Sequence, residues 1–248
     1  MTDPVLLDFH KHRKLRLIER KDFTRHKAEN FVPVVFQEFA ALATEFPLVF
    51  VRNSRTGDFV PSAMMGLNKG VNLFCQTSEW SPAFIPTSFT IAPLSVSRLG
   101  SSASEADIAI YEESSLLSEV EGEAIFSDDG QTTEYFKKRR DNLVKITEQS
   151  MQAIEVCRYL AEKRLLATRA LKLQYTDSSP TYEVDGVFTV DEEALEKLSN
   201  EEFLELRKRG FLPLIYSHLI SLQQMHKISR LQYPVSYTHL TLPTKDSV

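Results

Sequence analysis

The chain has 248 residues, 42% of them hydrophobic and 25% charged, with a formal net charge of −5. That is the composition of an ordinary soluble globular protein, long enough to bury a sizeable core as one domain or two small ones. The acidic balance argues against a general nucleic-acid binder, and two cysteines, Cys75 and Cys157, are too few for a disulfide framework and sit in apolar stretches that suit buried thiols.

The N-terminus, MTDPVLLDFHKHRKLRL, is interrupted by acids and histidines and does not read as a signal peptide. The most apolar window, Phe211 to Leu222, contains Pro213, Ser217 and His218 and is about half the length of a membrane span. A cytoplasmic location without a membrane span is therefore expected, a non-classical export route lying outside this reasoning.

In chain order, Leu15 to Ile18 reads as a short strand. From Pro33 to Pro47, apolar residues at Val35, Phe36, Phe39, Leu42, Ala43 and Phe46 keep helical spacing, with Pro33 suited to a first turn. Leu48 to Val51 and Phe59 to Met65 read as strands around a turn at Arg55–Asp58. Val71 to Gln76 is a further strand candidate. Trp80 to Pro86 reads as a proline-bounded loop or short helix. Phe89 to Val96 and Asp107 to Tyr111 complete the strands of this half. Leu99 to Phe136 carries carboxylates and no Lys or Arg, and KKRR follows at Lys137–Arg140. A solvated acidic loop leading into a helix accounts for this; a cation site or a basic partner is the other reading.

Glu134 to Ala167 is the longest helix candidate, with an apolar stripe through Phe136, Leu143, Ile146, Ala153, Cys157 and Leu160. Leu171 to Tyr175 and Tyr182 to Val190 look like strands joined by a turn at Asp177–Pro180. Asp191 suits a helix cap, and Ser199 with Glu202 a capping box. Gly210 suits a left-handed helix end, and Pro213 the first turn of a last, long helix that is apolar nearly all round to Leu222. The pattern gives an α+β fold: a mixed sheet with short helices in the N-terminal half and a mainly helical C-terminal half, as a single domain over residues 1–233. The stretch Pro234 to Val248 breaks the pattern. It resembles translated adapter sequence and is set aside as non-native-looking or disordered, the alternative being a genuine tail.

No phosphate-binding loop, GxSxG elbow, HExxH or CxxC is present. Gly66–Gly70 is a turn. His10 and His12 alternate as on a strand, with no cysteine beside them to build a metal site. No metal and no cofactor is expected. His218, beside Tyr216 in an apolar stretch, reads either as a hydrogen-bonded core histidine or as a pocket residue tuned by burial. Asp185 reads as a turn residue, and Trp80, the lone tryptophan, as core or as a groove lining. Trp80, Asp185, Tyr216 and His218 are the binding candidates; no catalytic residue is assigned.

Phe31–Val51, Phe59–Leu67 (FVPSAMMGL), NLFC followed by Trp80 and AFIP, LSEVEGEAIFSDDGQTTEYF, and DGVFTVDEEAL with LIYSHLISL together resemble, in order, the bacterial SapC family. The resemblance covers about Leu15 to Leu231. It implies an accessory or interaction protein associated by name with a surface-layer locus, with a protein partner in the envelope or uptake machinery. It carries over no catalytic residues, so whether the chain is an enzyme stays open; the alternative is an intracellular small-molecule binder or enzyme with a pocket near His218. The resemblance also implies a more basic and aromatic stretch where this chain has TSFTIAPLSV, Thr87 to Val96.

Overall fold

Two apolar runs separated by a polar turn make the first hairpin. Leu48–Arg52 pairs antiparallel with Phe59–Met64, Val49 opposite Ser62. At the turn, Asn53 Oδ1 accepts from the Arg55 and Thr56 amides, and Gly57 takes φ 77°, the left-handed region open to glycine. This computed structural model describes residues 3–168, 171–173 and 182–232. The hairpin is the centre of a five-stranded sheet in the order Leu166–Thr168, Val187–Val190, Leu48–Arg52, Phe59–Met64, Phe31–Pro33. Leu48, Val49 and Phe50 are all buried, so this strand is covered on both faces. Two three-stranded sheets, Val5–Leu6 with Asp107–Ile110 and Leu94–Arg98, and Leu117–Ser118 with Arg16–Leu17 and Glu123–Ala124, form a second centre. A ribbon of Leu171–Leu173 and Tyr182–Val184 completes the strands. The α+β class stands, with helices concentrated in the C-terminal half; every described pairing is antiparallel, and the strands are divided over four sheets.

The helix Glu134–Glu162 joins two cores. Thr133 Oγ1 caps it by accepting from the Phe136 amide at 3.2 Å. Phe136, Leu143 and Val144 pack with Leu17, Leu94, Ile108, Ile110 and Ile125. Farther along, Cys157 and Leu160 pack with Phe50, Leu195, Leu206 and Ile215. The helix ends before the expected Ala167: Arg164 turns to φ 56°, and Leu166–Thr168 leaves to pair with Phe188–Val190. Sheet hydrogen bonds replace helical ones there.

The C-terminal caps form as expected. Asp191 Oδ1 accepts from the Ala194 amide, Ser199 and Glu202 exchange a capping box, and Gly210 ends the helix Asn200–Lys208 at φ 74°. Pro213 lies in the first turn of Leu212–Ser221.

Six further expectations are corrected. The helix expected over Pro33–Pro47 is a 3₁₀ turn, Phe36–Glu38, and one α turn, Phe39–Leu42; Pro33 instead closes a strand. The Glu38 carboxylate takes the Val35 and Thr87 amides, tying this segment into tertiary contacts at its start. Val71–Gln76 is a run of turns, because Asn72 Oδ1 bonds the Phe74 amide and the backbone folds on itself. The strand expected from Phe89 begins at Leu94, after a 3₁₀ turn at Thr87–Phe89. The run Tyr182–Val190 is broken at Asp185–Gly186, where Gly186 has φ 74°. His10 and His12 lie on a short helix, Phe9–His12, capped by Asp8. The last helix divides into Leu212–Ser221, a 3₁₀ turn and Met225–Gln232, and it exposes Tyr216 and Ile220. The expected turn at Asp177–Pro180 and the stretch Pro234–Val248 lie outside the described residues.

Candidate functional site

The sequence candidates fall in separate places. His218 is wholly buried beside Phe50. Its Nδ1–H donates to the Leu48 carbonyl at 2.7 Å, and its Nε2 accepts from the Val190 amide at 3.0 Å. Both ring nitrogens are used, and burial pushes its pKa down to about 4, so the ring is neutral. It ties two neighbouring strands to a helix. Tyr216, two residues away on the same helix, points to the opposite side and is 46% exposed. Asp185 is an exposed turn residue. Trp80 packs edge-on against Phe23 and Phe89, close to Phe46 and Phe74. These four side chains do not gather into one pocket.

A different set does gather. Asp22 Oδ1 accepts from the Thr24 amide and so starts the 3₁₀ turn Thr24–His26, which presents Arg25 and His26. Glu38 holds Thr87, which starts the turn ending at Phe89. The first two turns of the long helix present Tyr135 and Arg139. These segments enclose a cleft of about 330 Å³. Its apolar wall includes Phe23, Phe89, Pro93 and Leu116. Its charged members are Arg20, Lys21, Arg25 and Arg139, with Glu19 as the one carboxylate. Tyr135 Oη donates to Glu19 Oε1 at 2.8 Å; burial, then that carboxylate, push the phenol up to about 12.

The two helix- and turn-borne arginines are held by backbone. Arg25 donates from Nη1 to Asp22 O at 2.6 Å and from Nη2 to Phe89 O at 2.7 Å. Arg139 donates from Nη2 to Ala92 O at 3.3 Å. The Nε of each is buried without a partner among the described residues. Burial lowers the Arg25 pKa from its ordinary value, an effect that the nearby Asp22 opposes, and a guanidinium stays a cation throughout the working range. None of Arg20, Lys21, Arg25 and Arg139 makes an ion pair among the described residues.

Arg25, Ala92 and Pro93 also line an adjoining cleft of about 370 Å³, with His26, Glu29, Tyr111, Glu113, Ser114 and Ser115. The His26 ring stacks on Phe89 at 4.1 Å between centroids, and its Nδ1 lies 2.9 Å from Glu29 Oε1. With the proton on Nδ1, Nε2 is left as a lone pair, buried and without a partner among the described residues. Together the two clefts make a trough with positive charge on one side and a carboxylate-oriented histidine on the other. Among the described residues, no group of three or more His, Cys, Asp or Glu is placed to hold a metal, and no helix is long and apolar enough to cross a membrane.

The SapC family profile matches residues 7–228, nearly the whole chain. The chain belongs to the SapC family. No curated protein and no solved structure matches it significantly. The stretch Thr87–Val96 supplies Phe89, Thr90, Ala92 and Pro93 to the walls of the trough.

Sequence reasoning missed Arg25, His26 and Arg139. Arg139 stood inside KKRR, between the buried Phe136 and Leu143, where helical periodicity turns both Arg139 and Arg140 inward.

Proposed function

We propose that this SapC-family chain is a recognition protein: an accessory or interaction protein, linked to surface-layer or envelope uptake functions, that works from the cytoplasm by binding. It acts as one unit, the long helix being shared between its two ends. The observation that carries the reading is the concentration of four cations that make no ion pair among the described residues along one apolar-walled cleft, in a chain whose net charge is −5. Uncompensated charge beside apolar surface is a poor contribution to folding and a good one to recognition.

The test is recovery of partners by the full chain from its native lysate, with cytosol and envelope separated, using the wild type and Arg139→Gln. Recovery of a receptor or surface-layer protein, reduced by the substitution, is the expected result. Equal recovery by both chains, or none by either, refutes the reading.

One observation favours a second reading, a small-molecule binder or enzyme: the buried Nε2 of His26, without a partner among the described residues, on a ring oriented by Glu29 beside Arg25. That pair is built to accept a proton from a group bound in the trough. A proton-uptake step on ligand binding that His26→Gln abolishes is its signature; its absence with every ligand found excludes it.

A further inference from the structure

We propose that the cleft between Arg25 and Arg139 binds a compact oxyacid anion, a carboxylate or phosphate carried on a small apolar group. The inference deepens the recognition reading above and rests on it.

The donors come first. A guanidinium has five N–H donors. Arg25 commits two to backbone carbonyls and Arg139 commits one, so most of their donors stay available. The carbonyls that hold them, Phe89 O and Ala92 O, lie three residues apart on one segment. Both guanidiniums are therefore fixed against the same short piece of backbone, and little side-chain freedom is lost when an anion arrives. Among the described residues, the buried Nε of each is a donor without an acceptor. A buried orphan of this kind is uncommon in folded proteins and is satisfied by the oxygen of a guest or by water.

Charge comes second. Arg20 and Lys21, both exposed at the rim, add to the same field, and Glu19, bonded to the Tyr135 hydroxyl, offsets part of it. Asp22 lies close to Arg25 and Arg20 and tempers the field, but it is bonded to the Thr24 amide. An oxyanion accepts several N–H bonds at once, which neutral acceptors do less well.

Shape comes third. Apart from Thr90 and the Tyr135 phenol, the rest of the lining is apolar, with Leu17, Phe23, Phe89, Pro93 and Leu116 among it. A volume of about 330 Å³ is at the small end for ligand sites, which favours a compact guest. A strongly hydrated free ion leaves this wall unused, whereas an acid on an aromatic or short aliphatic group covers it.

The full chain is titrated with benzoate, phenyl phosphate and uncharged benzamide, followed by ligand-observed and protein-observed NMR. Benzoate or phenyl phosphate binds with a Kd on the order of millimolar or tighter, as befits a fragment, and benzamide does not. The stronger of the two acids identifies the oxyanion. Arg139→Gln weakens binding about tenfold or more; Arg139→Lys, which keeps charge but loses the fork, falls between. Arg20→Gln has no hydrogen bond to lose and weakens binding by about two- to threefold, an effect that salt erases. Arg98→Gln, on another surface, changes nothing.

No binding of either acid, equal binding of benzamide, or indifference to both Arg139→Gln and Arg20→Gln overturns the inference. If a partner is still captured through Arg139 while both acids fail, the ligand class alone is wrong. If an acid binds through the arginines and no partner is captured, the accessory-protein reading falls and the anion site stands.

Discussion

Protonation of His218 sets a pH limit on stability. In the folded chain its pKa is about 4, burial being the main cause, with the hydrogen bond to the Leu48 carbonyl partly opposing it. The unfolded ring has the ordinary value of 6.5. The folded value is the depressed one, so the unfolded chain takes up the proton first as pH falls. The contribution is fully present above about pH 6.5, shrinks as pH falls, and is exhausted below about pH 4. The gap between the two values is worth roughly 3 kcal/mol, or roughly 1 kcal/mol for each pH unit. Other groups titrate in the same range, so the measurement is a difference: urea unfolding of the wild type and of His218→Gln at several pH values from 7.5 to 4.5. Glutamine offers an NH₂ donor group and a carbonyl acceptor and has no charge to gain. At pH 7.5 the variant is less stable by about 1–3 kcal/mol, because its amide does not reproduce both ring bonds. On acidification the gap narrows steadily. NMR titration adds an independent reading, with the His218 ring still neutral at pH 5.5. Parallel pH profiles for the two chains, or a ring that titrates near 6.5 in the native state, refute the reasoning.

Ser221 Oγ accepts from the Leu48 amide at 2.8 Å and donates to the His218 carbonyl at 2.6 Å, fully buried; Ser221→Ala strands that amide and costs about 1–3 kcal/mol in urea unfolding. A Cβ on Gly66 stands 2.1 Å from the Val71 carbonyl oxygen, so Gly66→Ala lowers soluble expression and thermal stability sharply, while Gly210→Ala, with open space around it, costs only about 1 kcal/mol from its left-handed backbone. Cys75 and Cys157 are buried, and burial pushes both thiols up to about 12; neither reacts with a thiol reagent at pH 8 until denaturant is added.

The parts of the fold that were legible are those written in neighbouring residues. Ser199 with Glu202, Asp191 before Glu192, and Gly210 before Pro213 each satisfy backbone groups within one helical turn, so sequence alone places them. The Leu48 and Phe59 strands were legible because apolar runs flank a turn rich in Asn, Thr and Gly. Pro33–Pro47 misled because its spacing fits a helix, yet its backbone groups are claimed by a strand partner and by Glu38. The trough was illegible for the same reason on a larger scale. Arg25 and Arg139 meet over carbonyls of residues 89 and 92, and backbone carbonyls carry no residue identity. His218 was legible as a choice between core and pocket; its partners, Leu48 O and Val190 N, are again backbone, and they decide for the core.

The order of strands in the five-stranded sheet has a consequence during synthesis. One edge of Leu48–Arg52 is closed by Phe59–Met64 within a few residues, but the other is closed only by Val187 and Phe188. On a ribosome adding about 5–20 residues each second, that apolar edge stays open for roughly 7–27 seconds. A half-finished chain thus exposes a template for pairing with another half-finished chain. Fragments that stop before Val187 are expected to aggregate or to be held by chaperones, and slowing translation across the acidic middle of the chain lowers the yield of folded protein even though the finished molecule is unchanged.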